Sequence, residues 1–261
     1  MSVDNNTAQK LIAYAEKYEH PQFLLNDPAQ FMHAVKGAKN KEIMAFIASA
    51  LSYGARSAFI KRLHFLLDCT MGVPHDWIIS GEYRKHIPDD SACFYRLYSN
   101  HLMLSFFDTL RQMIYSHDSI GQFVRTTINP NAKLENGKFR AIAALEAICT
   151  YFADRESNKI IPKDTRSCCK RLCMFLRWMV RSNSPVDLGL WSDFIDQSTL
   201  LLPLDTHVVH EAIELGLLKS KTTSMAAAQR LTSTLSEIFP GDPTKADFAL
   251  FGYGVNKSRK L

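Results

Sequence analysis

Apolar residues recur at helical spacing along nearly the whole chain. In the segment 43–51 they stand three and four positions apart, which is the spacing of a buried helix face. We find no sustained alternation of apolar and β-branched residues with polar ones, so a sheet is not expected. The pattern predicts an all-α fold with loops at 72–90 and 129–137. Further predicted helices cover 100–117, 120–128, 138–155, 166–181, 206–215 and 225–239, and a last helix is opened by Asp242-Pro243.

The composition is that of a globular protein rather than of a membrane or disordered one. Of the 261 residues, 46% are hydrophobic and 22% are charged. No apolar run approaches the roughly 20 residues that a membrane-spanning helix needs. The N-terminal MSVDNNTAQK lacks the basic and apolar regions of a secretory signal. We therefore expect a cytoplasmic protein without a membrane partner.

The six cysteines show neither a disulfide framework nor paired CxxC motifs. Cys168 and Cys169 are adjacent and unsuited to bonding each other, and Cys173 is expected to pack within a helix. A metal site needs more converging ligands than this cluster offers. We predict no metal and no cofactor.

Positive charge is concentrated in one segment. The net charge of the chain is +5, whereas residues 159–181 carry seven Lys and Arg against one Asp, a net of +6. A basic stripe on an otherwise balanced protein indicates a polyanionic partner. A solvated helix face would explain the charge equally well.

Lys170 lies on a predicted helix that has one apolar and one cationic side. In TRSCCKRLCMFLRWMVR, the spacing places Arg166, Lys170, Arg177 and Arg181 on the cationic side. Partial desolvation and cationic neighbours favour the neutral, nucleophilic amine of a lysine. Lys170 is therefore a candidate nucleophile, although contact with phosphate or water alone would also account for it.

Asp205 stands where a predicted helix begins, after a proline-containing turn in LLLPLDTHVVHEAIELGLL. Aspartate is a favoured N-cap residue, and the backbone N–H groups that it accepts stabilise its ionised form. Capping the helix would by itself explain why an aspartate stands at this position. A carboxylate held ionised beside a groove is also suited to stabilising a sugar cation. His207 and His210 nearby are expected to be surface or groove residues rather than metal ligands.

Three segments, CKRLCMFLRWMVR, LPLDTHVVHEAIELGLL and DPTKADFALFGYG, together resemble a bacterial family of unknown function within the helix-hairpin-helix–Gly-Pro-Asp DNA glycosylases. The motif PLDTHV, residues 203–208, resembles the Gly/Pro-rich loop followed by aspartate that names this superfamily. The separation of Lys170 and Asp205, 35 residues, resembles that of the archaeal 8-oxoguanine glycosylases. The likeness extends over most of the chain and is strongest from Ser167 onward.

The resemblance implies two helical lobes with a DNA-binding groove between them. One lobe would cover 41–185, ending in the lysine helix, and the other 1–40 and 186–261, carrying the catalytic aspartate. Lys170 would attack the sugar C1′ and form a Schiff base, and Asp205 would stabilise the sugar cation. The partner would be double-stranded DNA with a damaged base, bound by a monomer. The residues expected to contact this DNA are Lys163, Arg166, Arg171, Arg177, Arg181, Arg56 and His207.

A flipped base requires stacking partners and polar groups that read its edge. By position, Phe248, Phe251 and Trp178 are candidates for this pocket, although ordinary core packing also explains them. The turn from Ser52 to Arg56 resembles the place where relatives carry a residue that fills the vacated base stack. Tyr53 or Arg56 would take that part here.

The chain departs from the superfamily pattern at two points. The glycine-rich hairpin that binds phosphate is not evident in IIPKDTRSCCK, so phosphate contact would fall to Lys163, Arg166 and the helix N-terminus. No cysteine follows Asp205, which excludes the C-terminal iron–sulfur cluster of some relatives.

Three functions remain open from the sequence. The first is a glycosylase with AP-lyase activity on an oxidised purine such as 8-oxoguanine, which the presence of both candidate catalytic residues favours. The second is a monofunctional glycosylase in which Asp205 activates water. The third, supported by the degenerate hairpin, is a non-catalytic nucleic-acid-binding protein on the same fold.

Overall fold

The computed structural model of the chain describes residues 3–25 and 27–258. This part of the chain is mostly helical, as predicted. Its α-helices are α1 (Asn5–Tyr18), α2 (Gln30–His33), α3 (Ala38–Leu51), α4 (Arg56–Thr70), α5 (Pro74–Ser80), α6 (Tyr83–His86), α7 (Asn100–His117), α8 (Ile120–Thr127), α9 (Ala141–Ala153), α10 (Lys170–Val180), α11 (Thr206–Glu214), α12 (Met225–Ile238) and α13 (Ala246–Ser258). Short 3-10 helices cover Pro21–Leu24, Pro130–Ala132, Glu156–Lys159, Gln197–Thr199 and Pro243–Lys245.

Two features differ from the sequence prediction. The strands β1 (Cys93–Tyr95) and β2 (Tyr98–Ser99) pair as an antiparallel hairpin, which is too short to give a periodic signal. The predicted loop 72–90 contains α5 and α6. α5 forms because Pro74 suits the first turn of a helix, and Gly81 ends it in the left-handed conformation, with φ 78°.

The described residues form two compact units. Unit 1 contains residues 3–25, Lys133–Leu145 and 165–258, and unit 2 contains residues 27–132 and Glu146–Asp164. The division differs from the predicted lobes because α10 belongs to unit 1, together with α11. The helix that carries Lys170 and the turn that carries Asp205 are therefore parts of the same unit.

The core of unit 1 is formed by α1, α11, α12 and α13. Leucine and alanine dominate it, and the small alanine side chains let the helices approach closely. At Gly252 on α13, an added Cβ would lie 2.3 Å from the Tyr18 ring, so only glycine fits where α13 meets α1. This core supports the segment that leads to Asp205, because Leu202 and Leu204 of that segment are buried in it.

The core of unit 2 is aromatic. Phe46 of α3 stacks on Phe106 of α7, with ring centroids 5.9 Å apart, and Trp77 and Tyr83 pack against Phe107. α3 is buried along nearly its whole length. Among the residues that the structure describes, no helix is both long and apolar enough to cross a membrane.

Candidate active site

A tight turn places Lys170 at the first position of α10. Cys169, the residue before it, adopts the left-handed conformation with φ 46°, which residues other than glycine seldom adopt. The Cys168 thiol donates a hydrogen bond to the Leu204 carbonyl, with 3.3 Å between sulfur and oxygen. Ser167 forms an isolated antiparallel bridge with Ser224. The first contact attaches the start of α10 to the segment that precedes Asp205, and the second attaches it to the N-cap residue of α12.

Asp205 is the N-cap of α11, as the sequence predicts. Its Oδ1 accepts a hydrogen bond from the Val208 N–H at 2.9 Å. Its Oδ2 lies 2.7 Å from the Lys170 Nζ. The two predicted catalytic residues thus contact each other across 35 positions of sequence, and a separate oxygen of the carboxylate serves each contact. The Lys170 and Asp205 side chains are 36% and 27% exposed, so a substrate can reach both.

The Asp205 carboxyl is held in its ionised form. Burial by itself raises its pKa, but the nearby Lys170 ammonium, the hydrogen bonds from Lys170 and Val208, and the field of His207 together bring the pKa below its ordinary value. The sequence suggested that cations would surround Lys170. The structure instead gives it an anionic neighbour at hydrogen-bond distance.

A second carboxylate, Asp247 at the start of α13, belongs to the same electrostatic cluster. Burial raises the pKa of Asp247 above its ordinary value, and its ion pair with Arg177 only partly opposes that rise. The negative charge of Asp205 raises this pKa further, while Lys170 lowers it. The sequence analysis missed Asp247, although it lies within a segment that carries the family resemblance.

The prediction that Arg177 and Arg181 contact DNA is wrong for this structure, because both side chains are buried. Arg177 pairs with Asp187 and Asp247. Arg181 pairs with Asp187, Asp242 and Glu19. Buried charged side chains require such partners because transferring a charge out of water costs free energy that an ion pair must offset. Residues 175–180 are buried all round α10, and that uninterrupted apolar character around Arg177 is the sequence signal that could have indicated burial.

The other residues predicted to contact DNA are more accessible. Lys163, Arg166, Arg56 and His207 are exposed, and Arg171 is half-buried. Arg166 lies before α10 rather than on it, because the helix begins at Lys170. The predicted continuous basic stripe therefore does not form. DNA contact by these five residues stays a prediction.

Two of the three residues predicted to line a base pocket lie in the core. Phe248 and Trp178 have no exposed surface. Phe248 lies beneath Arg177 and Arg181, whose guanidinium groups are 4.8 Å and 5.4 Å from its ring centroid. Those two assignments are wrong for this structure, because a base cannot stack on a covered ring. Phe251 is half-buried, with its ring edge-to-face with Phe23 at 5.0 Å, and it stays a candidate.

One group of side chains in the described part of the chain is placed so that it could hold a metal ion. His210, Glu211 and Glu214 of α11 each offer a ligand atom, and these atoms lie within 4.8 Å of one another. His210 and Glu214 are exposed, and such groups are common on helix surfaces that bind no ion. The prediction that the protein uses no metal stays a prediction.

Comparison with protein-family models matches most of the chain to one family of unknown function. Its model matches residues 27–256, and its description is "Protein of unknown function (DUF2400)". No curated protein and no solved structure matches the chain.

Proposed function

The chain belongs to this DUF2400 family, and from its Lys170–Asp205 pair we propose that it is a DNA base-excision repair glycosylase with AP-lyase activity. The proposed substrate is double-stranded DNA carrying an oxidised purine such as 8-oxoguanine, bound by a cytoplasmic monomer in a groove like that of the helix-hairpin-helix glycosylases. The observation that carries the proposal is the contact of Lys170 Nζ with Asp205 Oδ2 at 2.7 Å. An amine and an ionised carboxylate, both open to substrate, are the two groups that this reaction requires.

The carboxylate serves the first stage of the reaction. As the bond between the base and C1′ breaks, positive charge develops on the sugar. Asp205 stabilises that charge because its lowered pKa keeps it anionic, and because its partly buried position strengthens the interaction. The same lowered pKa makes Asp205 a weak base. Its main part is therefore electrostatic, and proton transfer from the lysine is secondary.

The lysine serves the second stage. The Lys170 ammonium gives a proton to water, and the neutral amine bonds to the C1′ cation left by the base, which departed with the electron pair of the broken bond and took up a proton from water. The nitrogen then loses its proton, the bond from C1′ to the ring oxygen breaks, and the ring oxygen is protonated, which gives an imine. Loss of a proton from C2′ expels the 3′ phosphate and cuts the strand. Hydrolysis of the imine returns the free lysine.

The non-catalytic alternative rests on DNA binding alone. The burial of Arg177 and Arg181 in ion pairs removes two predicted DNA contacts from the enzyme and from the binding protein alike, so it does not separate them. Binding alone gives no reason for a lysine and an aspartate to be brought together from distant segments. The capping bond to Val208 uses only Oδ1, so capping leaves the Oδ2 contact unexplained.

Borohydride trapping on duplex DNA with 8-oxoguanine tests the proposal. Borohydride reduces the imine to a stable amine, so the wild-type protein is expected to form a covalent adduct that Lys170→Ala does not form. Lys219→Ala, which removes an exposed lysine of the same unit, serves as the matched control and is expected to form the adduct. Base release without an adduct would favour the monofunctional glycosylase. Neither release nor adduct across a panel of oxidised and alkylated bases would refute the enzyme.

A further inference from the structure

A cavity of about 530 Å³ lies in unit 2, and every described residue that lines it belongs to that unit. Its walls come from α5, from the C-terminal end of α7 with the turn that follows it, and from α8. Small-molecule sites in proteins usually occupy about 300–1,000 Å³. The cavity is therefore large enough to hold a small organic molecule.

Tyr115, near the end of α7, gives the cavity an aromatic wall. It is 84% exposed, whereas large aromatic side chains are usually buried in a core or an interface. Within the part of the chain that the structure describes, no other ring packs against it. Ile114 is buried beside it, and half-buried Ile79 of α5 completes the apolar part of the lining. The Tyr115 ring is therefore available to stack on a planar ligand above an aliphatic surface.

Hydrogen-bonding groups of both kinds accompany these apolar side chains. Gln122 of α8 is exposed, and its side-chain amide carries both donors and an acceptor. Asp118 ends α7 with a φ of 70°, and its Oδ1 lies 2.5 Å from the Lys39 Nζ. The hydrogen bond from Lys39 lowers the pKa of Asp118, so the carboxylate is ionised and accepts hydrogen bonds. A ligand here meets donors and acceptors together.

The charge of the lining disfavours an anionic ligand. Lysine and arginine are absent from the described residues that line the cavity, and with histidine counted as neutral the single formal charge is that of Asp118. Lys39, which pairs with Asp118, is already engaged by that carboxylate. A phosphate placed in the cavity would face a negative charge without a further lysine or arginine to offset it. A neutral ligand is the better match.

We propose that this cavity binds the base of a free nucleoside, which stacks on the Tyr115 ring and bonds through its edge to Gln122 and Asp118. A nucleobase is planar and neutral, and it presents donors and acceptors around its edge. Stacking on an aromatic side chain is a general means of binding any base, because every base has a π-face. The inference goes beyond the proposed function, since it concerns unit 2 alone and involves neither Lys170 nor Asp205.

Fluorescence titration of the full chain against 2-aminopurine riboside tests the site. Stacking on an aromatic ring quenches this nucleoside, so the wild-type protein is expected to quench it saturably. Tyr115→Ala is expected to weaken binding about tenfold, the effect of losing one stacking partner, whereas Tyr115→Phe keeps the ring and the affinity. Met71→Ala is the matched control, because Met71 is 88% exposed in the same unit and does not line the cavity.

Further arms test recognition of the base edge and the source of the base. Gln122→Ala is expected to weaken binding roughly threefold to tenfold, the effect of one lost hydrogen bond. Unlabelled adenosine is expected to displace the probe, and AMP to displace it at least about tenfold less well because of its phosphate. A single-stranded oligonucleotide that contains 2-aminopurine is expected to bind more weakly than the riboside for the same reason. Tighter binding of AMP or of the oligonucleotide would overturn the assignment to a free nucleoside.

Two other results would overturn the site itself. One is the absence of saturable quenching with wild-type protein up to about 1 mM, beyond which binding is too weak to be specific. The other is wild-type affinity in Tyr115→Ala, which would place the nucleoside elsewhere. Loss of binding in Tyr115→Ala with retention in Tyr115→Phe and Met71→Ala would support the site. Borohydride trapping reports on Lys170 alone, so either proposal can fail while the other stands.

Discussion

Replacing Arg181 by methionine tests whether the buried ion pairs at the end of α10 stabilise unit 1. Arg181 is 2% exposed, and its guanidinium contacts Asp187 at 2.6 Å, Asp242 at 2.7 Å and Glu19 at 2.8 Å. Methionine fills similar apolar space but removes the positive charge. Asp187, whose side chain is fully buried, would then keep only one arginine, Arg177.

The loss in the free energy of unfolding depends on how well water can solvate the carboxylates that Arg181 no longer pairs with. Removing one partner of a buried ion pair costs about 3–5 kcal/mol. The Asp242 side chain is 21% exposed and regains part of its hydration, and Asp187 retains Arg177, so we expect the lower end, about 3 kcal/mol. At roughly 2–4 °C per kcal/mol for a protein of this size, the Tm would fall by about 6–12 °C.

Thermal and urea denaturation followed by circular dichroism measure this loss. Arg230→Met is the matched control, because Arg230 is exposed on α12 and its replacement should change stability by less than about 0.5 kcal/mol. If Arg181→Met proves as stable as Arg230→Met, the ion pairs contribute no net stability and the reasoning from burial is refuted.

Two further predictions concern the carboxylate and the helix contact of unit 1. Asp205→Asn preserves an N-cap residue but removes the negative charge. Folding lowers the pKa of Asp205, so the ionised carboxylate stabilises the folded protein above the ordinary pKa of 3.8. This stabilisation is lost as the pH falls through the lowered pKa of the folded state. The stability difference between wild type and Asp205→Asn, measured by urea denaturation across pH, should therefore shrink on acidification, and a pH-independent difference would contradict the shift. Gly252→Ala should destabilise the protein by about 1–3 kcal/mol because its Cβ would meet the Tyr18 ring. Gly254→Ala, whose Cβ would meet nothing closer than 3.4 Å, should be neutral or stabilising in the same melt, and equal stabilities would disprove the steric argument.

The candidate pair could be proposed from sequence because each member has a local signature. Asp205 follows a proline-containing turn and precedes an amphipathic segment, so its capping position is encoded by its immediate neighbours. Lys170 is the first residue of a helix whose following residues are mostly apolar, which indicates a charged group close to the core. Their contact across 35 residues is a different matter. It depends on the left-handed turn at Cys169 and on the bond from Cys168 to the Leu204 carbonyl, neither of which has a sequence signal.

The cationic face of α10 shows where local reasoning fails. Helical spacing places Arg177 and Arg181 on one side, and the same spacing serves an exposed face or a buried one. Their burial depends on Asp187, Asp242 and Asp247, which come from later segments. The negative charges of these residues offset the free-energy cost of removing the two arginines from water. The prediction of DNA contact by these two arginines was reasonable from charge alone and wrong because those partners exist.

The sequence by itself determined the helical class, the extent of helices such as α7, which runs from Asn100 to His117 as predicted, and the cap at Asp205. These properties depend on residues within one or two helical turns, where backbone hydrogen bonds and side-chain spacing decide the conformation. Only the tertiary structure decided which charges are buried, which residues meet across long separations, and that the Tyr53 ring is half-buried against Tyr95. Those properties depend on which surfaces pack against one another. Segments that are far apart in the sequence make these contacts, and local residue patterns carry no information about them.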